Sequence, residues 1–185
     1  VTVMNFWFTT CKPCVGELGE LEALNQKLAE KGGAVVGINS FTLDGDKTAI
    51  SETKSILEKK GVSYKNVWFG SDSEAGEFTS KLYSYPTTCV VDSNGNIVGE
   101  PIVGAISSAE QAKKLDALID EAIANSGDKA GGYAELGKGL RRVGSAGFGR
   151  DIFPCGTDGA DGVGQIGLLA LHIVRVKDSV PGQGL

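Results

Sequence analysis

Val1-Thr2-Val3-Met4-Asn5-Phe6-Trp7-Phe8-Thr9-Thr10-Cys11-Lys12-Pro13-Cys14-Val15-Gly16-Glu17 decides how this chain is read. Residues 1–8 are mostly apolar, β-branched and aromatic, the pattern of a buried strand. From Lys12 to Lys31 the pattern is helical. Leu18, Leu21, Leu24 and Leu28 recur at spacings of three and four, and Gly32-Gly33 ends the run. A Cys-x-x-Cys therefore lies where a buried strand gives way to a long helix. The free N–H groups of a helix's first turn carry partial positive charge. A thiolate on Cys11 is favoured there and Lys12 adds a cation, two effects that lower a thiol pKa below the free value of about 8.5. Pro13 fits the first turn, where its missing N–H costs little. The two-residue spacer lets the cysteines close a small disulfide ring, with Cys11 attacking and Cys14, one turn further in, resolving.

Cys-x-x-Cys alone leaves other readings open. Half of a zinc site would need a second Cys/His pair at short spacing. Cys89 and Cys155 are isolated and the single histidine, His172, is far along the chain, so zinc is disfavoured. A Cu(I) clip of two thiolates stays open. Two unrelated buried cysteines are a poor fit to a strand–helix junction.

The rest of the chain bounds the problem. It has 185 residues, 41% hydrophobic and 22% charged, about one domain with a packed core. Net charge is 18 − 23 = −5, which argues against nucleic acid as a partner, since phosphate binding needs a basic patch. No apolar run is long enough to span a bilayer. Two compositions meet near residue 125. Residues 1–125 hold 12 of the 27 glycines and no arginine; residues 126–185 hold the other 15 glycines and all four arginines. Glycine weakens helix and strand interiors, so 126–185 reads as a loosely ordered tail, or as sequence that is not selected, such as read-through. Cys155 has no assigned role.

Within 1–125 the periodicity predicts further elements. They are a strand over 34–39, a helix over 46–60, a short strand over 66–69 and a helix over 73–83 with Ser73 as N-cap. Strands over 87–91 and 96–103 flank Asp92-Ser93-Asn94-Gly95, a hairpin signal. A last helix runs over 109–124, with Ser108 and Gln111 spaced as a capping box. The order β-α-β-α-β-α-β-β-α predicts an α/β fold, a mixed sheet with helices on both faces and an antiparallel strand at one edge. Trp7, Trp68, Phe69 and Cys89 read as core or near-site packing.

Asn5-Phe6-Trp7, Cys11-x-Pro13-Cys14-x-x-Glu17 and, much later, Tyr85-Pro86-Thr87-Thr88 entering a strand resemble the thioredoxin-like TlpA/ResA family of extracytoplasmic thiol–disulfide oxidoreductases. The likeness covers about residues 1–124 and none of the tail. It implies a thioredoxin-like fold with an inserted helix and strand, supplied by residues 46–69. The family's leading strands are absent, as expected of a chain that lacks its natural start. Carried over by position, Cys11 is the attacking thiol and Cys14 its buried partner. Pro86 is a cis-proline beside the disulfide, and Glu17 takes the proton of Cys14. Lys12, Pro13, Tyr85 and Thr87 then face the substrate, with Tyr85 main chain pairing to an extended peptide. Thioredoxin's buried Asp falls at Asn5, which cannot titrate, so another group must manage the proton. The alternative for Glu17 is a solvated first-turn residue favourable to the dipole.

Two departures stand out. Thr10 replaces the Trp common before the first cysteine, and Gly19 stands where a helix-bending Pro often occurs. The resemblance implies an exported, membrane-anchored protein with no cofactor beyond its redox disulfide and no metal. Its substrates would be disulfides of exported proteins, apocytochrome c among them, and a membrane thiol donor would act upstream. Reduction is the favoured direction, because one Lys and a helix terminus stabilise a thiolate only ordinarily. A copper-handling module without turnover is the rival. A peroxidase of the same broad fold is disfavoured, since the second cysteine fits Cys-x-x-Cys better than an isolated peroxidatic thiol does.

Overall fold

The computed structural model describes residues 1–127. The remainder of the tail, with Cys155 and His172, lies outside the described residues. The sheet is built from β1 (Thr2–Trp7), β2 (Ala34–Asn39), β3 (Lys65–Val67), β4 (Thr87–Val91) and β5 (Ile97–Val103). The helices are α1 (Lys12–Ala29), α2 (Lys47–Lys59), α3 (Glu74–Lys81) and α4 (Ala109–Gly127). The strand order is β3-β2-β1-β4-β5. β1, β2 and β3 run parallel, while β4 is antiparallel to β1 and β5 to β4. This is the thioredoxin-like α/β arrangement expected, with α2 and β3 as the inserted pair.

Every residue of β1 is buried, because β1 is the central strand and is covered on both faces. Alternate side chains go to opposite layers. Val3 and Trp7 join Leu18, Leu21, Leu57, Leu115 and Ile119 in one apolar cluster fed by α1, α2 and α4. Met4 and Phe6 join Ile38, Val67, Ala75 and Val91 in the other, under α3. Helices thus cover both faces, three against one. Each large apolar side chain buried this way contributes about 1.5–3 kcal/mol.

Local chemistry sets the element ends. Asp46 lies just outside α2 and accepts from Ala49 N–H at 2.8 Å; Ser73 caps α3 through Gly76 N–H at 3.1 Å. Gly32 takes the left-handed φ of +72° that closes α1. The hairpin turn is held by Asp92, whose Oδ1 accepts from Asn94 and Asn96 N–H at 2.8 and 2.9 Å. One element was not anticipated, a 3-10 segment at Ser40–Gly45 that breaks at Leu43 and Asp44. The capping box at α4 is only half formed. Ser108 accepts from Gln111 N–H at 3.2 Å, but the Gln111 amide turns away to Val103 O at 3.1 Å. α4 also runs two residues past the compositional boundary at 125.

Candidate functional site

Cys11 is the N-cap of α1, in extended conformation, and its Sγ accepts from Cys14 N–H at 3.3 Å. Lys12 and Pro13 form the exposed first turn. The two sulfurs are joined in a disulfide, with Cα atoms 5.3 Å apart. Cys14 is fully buried, and Cys11 is only 7% exposed. The first thiol is therefore less open than its place at the helix start suggested.

Three residues on, one turn deeper on the same helix face, Glu17 is 0% exposed. The solvated first-turn reading of Glu17 is thereby corrected: its helix face packs on the sheet. Its Oε1 accepts from Asn5 Nδ2 at 2.9 Å and its Oε2 from Ile106 N–H at 2.7 Å. Burial pushes its pKa above the usual carboxylate range. The Ile106 and Asn5 hydrogen bonds pull it back only in part, and nearby Glu20 adds to the rise. Asn5 also donates to Thr88 Oγ1 at 3.1 Å, while its own Oδ1 has no partner among the described residues. The amide at the position of thioredoxin's acid thus holds the carboxylate that α1 supplies.

The Tyr85–Pro86 peptide is cis, as the resemblance implied. Antiparallel register places Phe6 opposite Thr87, so the residues beyond, Phe8 and Tyr85, meet past the end of the ladder. Their rings lie 5.1 Å apart, edge to face. Phe8 O also accepts from Cys11 N–H at 3.1 Å. Tyr85 and the disulfide are therefore linked through one residue. Pro86 is buried, and its carbonyl accepts from Gly104 N–H at 2.8 Å. Thr87 is also buried, with its hydroxyl donating to Ser84 O at 2.9 Å inside the turn.

Several neighbours carried no sequence signal of their own. Ile106 N–H reaches Glu17 across 89 positions of chain. Trp7 Nε1 donates to Asn66 Oδ1 at 3.0 Å, which explains how a large ring with a polar edge is fully buried. Phe41, from the 3-10 segment, stacks on Phe8 at 4.9 Å. Cys89 is buried in β4, and burial pushes its pKa up to about 12, as befits a core thiol. Among the described residues no group of three or more His, Cys, Asp or Glu side chains could hold a metal ion, and no helix is long and apolar enough to cross a membrane.

Comparison with known proteins agrees with this geometry. The thioredoxin-like protein YneN of Bacillus subtilis is 29% identical over 122 residues, 62% of each chain. The thiol-disulfide oxidoreductase ResA of Bacillus thuringiensis is 31% identical over 101 residues, 55% of this chain and 53% of its own. The chain thus spans between about half and three-fifths of the length of these relatives. In fold it is similar to the thiol:disulfide interchange protein DsbE of Chlorobium tepidum, with a TM-score of 0.53 and 20% identity over 66% of this chain and 79% of that one. It is also similar to a thiol-disulfide isomerase of Corynebacterium glutamicum, with a TM-score of 0.51 and 16% identity over 63% and 79%. The sequence model of the Redoxin family matches residues 1–119, the whole of the sheet and all but the last turns of α4, and the chain belongs to that family.

Proposed function

We propose that the chain is a thiol–disulfide oxidoreductase that reduces disulfides of exported proteins through Cys11 and Cys14. The observation that carries the reading is the Cys11–Cys14 disulfide at the N-cap of α1, with the cis Tyr85–Pro86 turn linked to it through Phe8. In the dithiol form, Cys11 thiolate attacks one sulfur of the client disulfide. A Cys11–client bond forms, the client S–S bond breaks, and the other client sulfur leaves as thiolate. Cys14 then gives up its proton and attacks Cys11 Sγ. The Cys11–Cys14 bond forms and the second client thiol is released, so two electrons pass to the client. Glu17, one turn below Cys14 and held by Asn5 and Ile106, accepts the Cys14 proton. Burial raises its pKa towards that of a thiol, which favours proton exchange with Cys14. An external dithiol donor restores the reduced pair.

Lys12 and Pro13 present the exposed face that meets the client. Tyr85 offers its main chain, while Pro86 and Thr87, both buried, hold that main chain in place. The names of the relatives favour exchange over copper handling. An extracytoplasmic site of action, anchorage and the donor follow from the family likeness.

The test is reduction of insulin disulfides with a dithiol donor. Cys11→Ser abolishes turnover, and Cys14→Ser accumulates a client mixed disulfide visible on a non-reducing gel. Exchange that survives Cys11→Ser refutes the mechanism.

A further inference from the structure

Three rings at the strand end that leads into Cys11 form a continuous row. Phe8, the residue whose carbonyl caps the turn into Cys11, lies between Phe41 at 4.9 Å and Tyr85 at 5.1 Å. The outer ring, Phe41, is 48% exposed. It comes from the 3-10 segment after β2, which the sheet brings to the same end as the Cys-x-x-Cys turn. Thr10 is exposed and small at the place where an aromatic residue would otherwise stand beside the sulfur. A second observation lies at the other end of the row. The N–H and C=O of Tyr85 form no hydrogen bond among the described residues, since the β1–β4 ladder stops at Phe6 and Thr87. Free main-chain groups beside an apolar surface suit an extended peptide that pairs through its backbone and sets one side chain on the rings.

The occupant follows from position. A permanent partner on these rings would stand at the sheet end that carries the Cys-x-x-Cys turn and would obstruct exchange there. A client that arrives, reacts and leaves would not. We propose that Phe8, Phe41 and Tyr85 form a subsite for a large apolar or aromatic side chain flanking the client cysteine, in an extended segment of another protein. This rests on the exchange activity proposed above. Phe41 is the residue that tunes this preference, since it adds ring surface without supporting the strand ends.

The experiment uses the full 185-residue chain and symmetric disulfides of two matched peptides, with Phe or Ser beside the cysteine. The Phe peptide is reduced with a kcat/KM about three- to tenfold higher, the difference lying in KM, as expected of one aromatic contact. Phe41→Ala brings the Phe/Ser ratio towards one, and Phe41→Trp recovers it. Tyr83→Ala, on a side chain almost wholly in solvent, leaves the ratio as it was. Equal rates for the two peptides in the native chain, or an undiminished ratio in Phe41→Ala, overturn the subsite while exchange itself stands. No reduction of either peptide overturns the activity, and the subsite with it. A ratio that fades as the protein dimerises assigns the rings to a second copy and overturns the client reading.

Discussion

Glu17 is a titratable carboxyl where solvent does not reach, and the fold stabilises its charged form incompletely. Two hydrogen bonds hold the carboxylate, but burial outweighs them and its pKa stays raised. An acid with a higher pKa folded than unfolded contributes stability fully below the unfolded value. That contribution is lost as pH rises through the folded value. Glu17→Gln does not titrate, so its stability relative to the native chain should improve between about pH 4 and pH 7. Urea unfolding midpoints at the two pH values check this, and an equal difference at both removes the raised pKa from the account. The same variant should slow exchange by about ten- to a hundredfold and erase the rise in rate through the Glu17 titration, because Cys14 loses its proton acceptor. A variant that gains stability on the native chain as pH rises, yet reacts more slowly, is the signature of a group kept for chemistry rather than for packing. Asn5 belongs to the same logic. Its position was legible in the sequence as a neutral residue where thioredoxin has an acid, but its partner was not, since nothing local links residue 5 to residue 17.

Among the elements, α1 was legible in its start and its stop, from the Cys-Lys-Pro-Cys opening and the glycines that close it. Its buried seam was not fully legible. Leucine spacing gives Leu18, Leu21 and Leu28, but Glu17 and Glu22 share that seam. Glu22 survives there because Ser63 N–H and Oγ, both at 2.7 Å, and Tyr64 N–H at 3.3 Å satisfy it. Burial pushes its pKa up, and those bonds with that from Gln26 more than offset the push, so the carboxyl ends below its usual range. Ser63 and Tyr64 lie some forty residues away, on the approach to β3, beyond any local pattern. β2 holds a similar case. Gly37 reads as one residue of an apolar strand, yet its missing side chain makes room for Asn66. An added Cβ would run into the Asn66 side-chain carbonyl, the acceptor of Trp7 Nε1–H. Gly37→Ala should therefore cost about 1–3 kcal/mol, the penalty for stranding a buried donor. Urea unfolding followed by tryptophan fluorescence measures it. Adding Asn66→Ala to that variant should cost little more, because both changes break the same contact; full additivity would mean that Gly37 is needed for some other reason.

At the scale of the whole molecule, alternation of strand and helix signals was enough to give the class, and the hairpin signal gave the antiparallel edge. The distribution of helices was not legible. Three of them share one face because α2, the inserted helix, sends Leu57 into the cluster under α1 and α4, and periodicity within a helix says nothing about which layer receives it. The aromatic row escaped for a related reason. Phe41 sits in a broken 3-10 segment with no period to read, and only the sheet order brings it to Phe8. Closure of the core bears directly on the Gly-rich tail. Among the described residues, both apolar clusters draw on residues up to Ile123, and the Redoxin match ends at residue 119. A unit whose apolar faces are covered by its own elements has its own reason to fold. Residues 1–127 produced alone should then unfold cooperatively at the midpoint of the full chain and reduce insulin at the same rate. Calorimetry and the insulin assay, run side by side on both lengths, decide it. A lower midpoint would mean that the tail adds packing to the domain, whereas a lower rate at an unchanged midpoint would mean that it helps to hold the client.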